Sequence, residues 1–153
     1  MIVPVQNIVE TVDLSGKDAL LPLFECIINS ILSLKQIEKS DGEIQIKLTR
    51  GDNPIQPSLD NLKTISSVKV TDNGIGFTMA NYQSFQTPFS KTHIEFGCKG
   101  IGRFTMLAAF KKIHVRSNYF ENGKYYYREF MCDAENEITE IDFKESNKHS
   151  LIS

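Results

Sequence analysis

Leu20, Leu21, Phe24, Ile27, Ile28, Ile31, Leu34 and Ile37 recur at helical spacing. They predict a long helix over 18–39, with Pro22 confined to its first turn and Ser40-Asp41-Gly42 ending it. The period then changes to two. Ile44, Ile46 and Leu48 alternate with polar residues, so 43–50 reads as a half-buried strand. Pro54 and Pro57 mark 51–61 as a loop, and 65–72 as a second strand puts Val68, Val70 and Asp72 on one face. A short helix is expected over 79–85, and 86–96 has no clean periodicity and reads as a loop. A further helix over 101–110 carries Phe104, Leu107, Ala108 and Phe110. Strands follow at 113–118, 124–132 and 138–143, with Glu121-Asn122-Gly123 as a hairpin turn between the first two.

Helices followed by runs of strands suit a two-layer α/β sandwich, with helices on one face of a mixed, mostly antiparallel sheet. A doubly wound fold would need repeated strand–helix crossovers, which the order lacks. At 153 residues, 41% hydrophobic and 24% charged, one globular domain over 1–153 is expected. A net charge of −2 gives no general attraction for a nucleic-acid backbone. Lys111, Lys112, His114 and Arg116 read as a solvated strand edge, and His93, His114 and His149 show no metal spacing. Cys26, Cys98 and Cys132 also lack metal-ligand spacing and read as reduced thiols of a cytoplasmic protein. Residues 1–14 are interrupted by Pro4, Gln6, Asn7, Glu10 and Asp13, so no signal peptide is expected, and no window is apolar enough to span a membrane.

Three stretches carry candidate chemistry. Asp72-Asn73-Gly74-Ile75-Gly76 ends a strand with a carboxylate on its apolar face. Such a carboxylate needs donors, and an adenine amine is one; Gly74 and Gly76 let the backbone pass close under a flat ring. The same composition also makes a plain turn. Gly97-Cys98-Lys99-Gly100-Ile101-Gly102 offers backbone N–H groups at the entry to a helix, and phosphates bind such places. Lys99 adds a point charge there, and Arg103 either joins it or faces outward. Glu25 and Asn29, four apart on the long helix, share a face. They belong to a stripe with Ser33, Gln36 and Ser40 that also reads as a solvated surface. An asparagine oxygen is a suitable ligand for Mg²⁺, and a glutamate one turn away is placed to deprotonate a water.

In this order the three stretches resemble the GHKL family: gyrase B subunits, heat-shock chaperone ATPases, sensor histidine kinases, and the MutL and MORC proteins. The style is nearest to MORC-like or chaperone-like prokaryotic ATPases. Glu25, Asn29 and Ser30 are similar to the family's Glu-x-x-x-Asn-Ala/Ser box, Asp72, Gly74 and Gly76 to its adenine box, and Gly97, Lys99, Gly100, Ile101 and Gly102 to its second glycine box. The resemblance covers about 19–110 and implies the family's Bergerat fold, with ATP and Mg²⁺ as cofactors. It assigns Glu25 as general base and Asn29 as metal ligand. Asp72, Gly74, Gly76, Gly97, Lys99, Gly100, Ile101 and Gly102 become nucleotide contacts, and 78–96 a lid that gates slow hydrolysis. Ser90-Lys91 is similar to a pair found in some family lids. A homodimer of the full-length protein is compatible with the resemblance; a nucleic-acid or protein client is left open.

Two departures stand out. Leu32 occupies a position where many ATP-hydrolysing members carry aspartate, and no Gly-Thr pair follows Phe130. The second departure leads to the expectation that this is the N-terminal part of a longer protein. Two other readings stay open, a non-catalytic nucleotide-binding module and a sensor histidine kinase core. No phospho-acceptor histidine in a helical hairpin precedes the boxes, and His93 is wrongly placed for one.

Overall fold

The computed structural model describes residues 4–54, 63–87 and 102–147. A short helix α1 (Val5–Glu10) and a 3-10 turn (Gly16–Leu20) precede helix α2 (Leu21–Lys35). Strands β1 (Ile44–Pro54) and β2 (Lys63–Asp72) follow, then helices α3 (Met79–Gln86) and α4 (Gly102–Ala109). Strands β3 (Lys112–Glu121), β4 (Lys124–Asp133) and β5 (Glu137–Glu145) complete the described order. The architecture is mixed α and β with antiparallel pairing throughout the described strands. The expected single sheet is instead two among the described residues, a hairpin β1–β2 and a meander β3–β4–β5.

The meander follows from its alternation. Arg128, Phe130 and Cys132 are buried on one face of β4. Glu129 lies on the opposite face and accepts from His114, Arg116 and Tyr127. That is the inside-outside pattern of an antiparallel sheet with one wet face. The turn between β3 and β4 uses Asn122 and Gly123, both at positive φ (52° and 78°), as a tight two-residue hairpin requires. Helices cover the buried face. Val5 of α1 packs with Phe104, Leu107 and Cys132, and the Phe130 ring meets Phe77, Tyr82 and Phe85 at 5.0–5.5 Å. Arg128 is also inside, its guanidinium 4.1 Å from the Tyr82 ring centroid and 3.0 Å from the Tyr119 hydroxyl.

The long helix is shorter than its periodicity suggests. The 3-10 turn takes its first residues, and α2 stops at Lys35 although Ile37 keeps the apolar rhythm. Glu38 adopts φ 49°, while the N–H groups of Glu38 and Lys39 donate back to Lys35 and Leu34. This is a Schellman cap with a non-glycine in the left-handed position, so the helix ends before the Ser40-Asp41-Gly42 stop. Gly42 packs against Leu34 of α2 instead. Pro22 sits in the first turn, as expected. The other strands and helices of the pattern are present with ends moved by at most four residues, and α1 is an addition.

Candidate functional site

The turn after β2 is built into α2. Asp72 Oδ2 accepts from Ser30 Oγ at 2.8 Å, and Oδ1 accepts from Ser33 Oγ at 3.2 Å and from the Gly74 N–H at 2.9 Å. The Ile75 N–H donates to the Ser33 carbonyl and the Gly76 N–H to Ser33 Oγ. A Cβ on Gly74 would lie 2.7 Å from the Ser33 carbonyl carbon and 2.8 Å from the Leu34 nitrogen, so only glycine allows this approach. Gly76 has φ 78°, and a Cβ there would lie 2.6 Å from Ser117 Oγ and 2.8 Å from the Asn118 carbonyl oxygen. The turn therefore touches α2 on one side and β3 on the other, where the Phe77 N–H donates to Ser117 Oγ at 2.8 Å. Asn73 fastens the outer side, its Oδ1 accepting from the Glu43 N–H and its Nδ2 donating to the Asp41 carbonyl. Thr78 then caps α3 by accepting from the Asn81 N–H, and Asn81 returns to the Gly76 carbonyl.

The donors that satisfy Asp72 are thus the chain's own Ser30, Ser33 and Gly74. Three hydrogen bonds use three of the roughly four acceptor positions of a carboxylate. Among the described residues no donor takes the fourth position. Reading the helix stripe as solvated hid Ser33. The signal was its spacing of three from Ser30, which aims both hydroxyls at one point.

The second meeting point is between α2 and α4. Glu25 lies against Gly102 at the first residue of α4; a Cβ on Gly102 would come within 3.0 Å of the Glu25 carboxyl carbon. Burial raises the Glu25 carboxyl above the ordinary glutamate value. One residue on, Cys26 Sγ is 3.1 Å from Met106 Sδ, and burial pushes that thiol to about 11. Asn29 is exposed one turn along the helix from Glu25. Leu32 is buried, so that position is occupied by packing.

Arg103 does not face outward. It is buried, its Nη1 donates to the Phe85 carbonyl at 2.6 Å, and its guanidinium lies 4.9 Å from the Phe104 ring centroid. Rings and a carbonyl hold the cation inside. Gly97, Lys99, Gly100 and Ile101, the Ser90-Lys91 pair, Cys98, His93 and His149 fall outside the described residues, as does 88–96 of the expected lid. Among the described residues no group of three His, Cys, Asp or Glu side chains is placed to hold a metal, and no helix is long and apolar enough to cross a membrane.

The geometry thus joins three stretches far apart in sequence. The Asp72–Gly76 turn and the opening of α4 both lie against α2, on residues 25–34 of that helix. Comparison with family models, with curated proteins and with solved structures yields no match.

Proposed function

We propose that this chain is an ATP-binding domain of the Bergerat type that hydrolyses ATP slowly in the presence of Mg²⁺. The observation that carries the proposal is the convergence on α2 of a glycine turn bearing a carboxylate and a helix opening with glycine. Asp72 has one acceptor position beyond its three intramolecular bonds, which suits a single adenine amine. Gly74 and Gly76 keep side chains off that floor. The start of α4 at Gly102, with Gly97, Lys99, Gly100 and Ile101 ahead of it in sequence, supplies the phosphate end.

The residues fit a nucleotide with its metal. Asn29 is exposed and offers a hard amide oxygen, so Mg²⁺ would share it with phosphate oxygens and waters. When bound, the metal neutralises charge on the phosphates. Glu25, half-buried beside Gly102, is positioned to take a proton from a water, and its raised pKa makes its ionised form a stronger base. The lid role of 78–96 rests on the family resemblance.

Titration calorimetry with Mg-ATP tests the site. Wild type is expected to bind, and Asp72→Ala to lose at least tenfold in affinity, worth ~1.4 kcal/mol. An affinity unchanged by Asp72→Ala rejects the site. Glu25→Ala separates hydrolysis from binding: turnover is lost while affinity is kept. A wild type that binds without turnover moves the chain to the non-catalytic module.

A further inference from the structure

We infer that Ser33 is a positioning residue that directs a ligand's amine to Oδ2 of Asp72 and closes Oδ1 to it. The two carboxylate oxygens are not equivalent. Oδ1 accepts from Ser33 Oγ at 3.2 Å and from the Gly74 N–H at 2.9 Å, which fills its acceptor positions. Oδ2 accepts from Ser30 Oγ at 2.8 Å, and among the described residues no donor takes its second position. The terminal torsion of an aspartate is broad and nearly two-fold, so an untethered carboxylate presents either oxygen. Here Ser30 and Ser33, three apart on α2, tie one oxygen each to the same helix face. The Gly74 N–H cannot replace that tie, because it belongs to the turn that carries Asp72.

Ser33 also sets the floor beneath the ring. Its hydroxyl oxygen accepts from the Gly76 N–H at 3.3 Å while its proton goes to Asp72, and its carbonyl accepts from the Ile75 N–H at 3.1 Å. One residue of α2 thus fixes the acceptor and the glycine backbone relative to each other. Asp72 touches the ligand, and Ser33 acts through it. The inference rests on the nucleotide reading and deepens it: preference for a purine that carries an amine comes from α2 as well as from Asp72. Removing the Ser33 hydroxyl empties a position on Oδ1 and takes away the acceptor of the Gly76 N–H. The amine then meets a carboxylate that must be ordered on binding, and that ordering offsets part of the bond.

Titration calorimetry of the whole chain tests it, with Mg-ATP and with the magnesium complex of purine riboside triphosphate, the same nucleotide without its exocyclic amine. Wild type is expected to favour ATP about tenfold, or ~1.4 kcal/mol. Ser33→Ala, with its far-ultraviolet circular dichroism unchanged, is expected to bring that ratio to about threefold or less. Ser33→Thr keeps the hydroxyl and is expected to restore it. A general loosening of the turn weakens both nucleotides alike and leaves the ratio where it was. Should Ser33→Ala fail to fold, Ser33→Cys, whose thiol is a weak donor of similar shape, is expected to show the same fall. A wild type that prefers ATP while the variant keeps the same ratio overturns the inference and leaves the nucleotide site standing, as does a ratio that Ser33→Thr fails to restore. A wild type that binds both nucleotides equally also overturns it. A wild type that binds neither overturns the nucleotide reading and the inference with it.

Discussion

The β3–β4–β5 half and the α2–hairpin half of this molecule are held by different forces. In the first, Phe104, Phe130 and Cys132 are buried to 1% exposure or less among rings and helices. In the second, Ile46 and Leu48 stay nearly half exposed, and the β2 end is fastened by hydroxyls and backbone groups around Asp72. Apolar burial is non-directional and tolerates small movements. A hydrogen-bonded carboxylate fixes direction and fails when one partner is removed. The candidate site lies where the second regime meets the first, and it inherits geometric definition more than stability from the polar half.

The largest effect should come from the packed half. Phe130→Ala is expected to cost ~3–5 kcal/mol, because a buried ring leaves a cavity among Phe77, Tyr82 and Phe85. Ile46→Ala on the open face should cost under about 1 kcal/mol, since much of that side chain is already in water. Urea midpoints of the two variants measure the contrast directly; equal losses would erase it.

Gly74→Ala comes next. The added methyl meets the α2 backbone at Ser33 and Leu34, which cannot swing aside as a side-chain tip can. A stability cost of ~1–3 kcal/mol is expected. Amide exchange should locate the damage: protection falls at Ile75 and Gly76, whose N–H groups donate to Ser33, and holds in β4.

Glu25→Gln is expected to have a smaller effect, and one that depends on pH. Burial raises the Glu25 carboxyl above 4.5, so the folded state disfavours its charge. That group's contribution is complete below the ordinary value and is lost as pH rises through the raised one. The variant should therefore gain on wild type from pH ~4.5 upward and then level off. Glu129 has the opposite sign. Bonds from Tyr127 and His114 hold it down at about 2, so its contribution is present above the ordinary value and fades as pH falls from 4.5 toward 2. Melting temperatures across pH 2–8 should show both variants departing from wild type above pH ~4.5 in opposite directions, Glu25→Gln upward and Glu129→Gln downward, with both differences closing toward pH 2.

The meander was legible in the sequence because one face of β4 is dry and the other wet, and alternation records that difference directly. The end of α2 was not, because Ile37 continues the apolar rhythm while the stop is set by the backbone of Glu38. Helix α1 is too short to show a period, and its residues read only as interrupted apolar chain. The division into two sheets is a matter of which strand edges meet, and periodicity carries no such information. At the site, glycines and the carboxylate stood out by residue type. Ser30 and Ser33 were inconspicuous because serine on a helix looks the same whether it faces water or an aspartate. Arg103 was read as a surface or ligand cation because charge suggests exposure, and the Phe85 ring and carbonyl that shelter it reach it only through folding.

The clasp at Asn73 bears on how the molecule ages. Asn-Gly pairs lose ammonia when the glycine nitrogen attacks the asparagine side-chain carbonyl and closes a succinimide ring. At Asn73 that nitrogen is donating to Asp72, and both ends of the amide are tied to Asp41 and Glu43. The same dipeptide recurs at Asn122-Gly123, exposed at the tip of a hairpin where a side chain on the glycine would point into open space. Peptide mapping after weeks at mildly alkaline pH should find conversion at 122 well ahead of 73. Unfolding should bring the two rates together, which makes the position-73 amide a chemical clock for time spent unfolded.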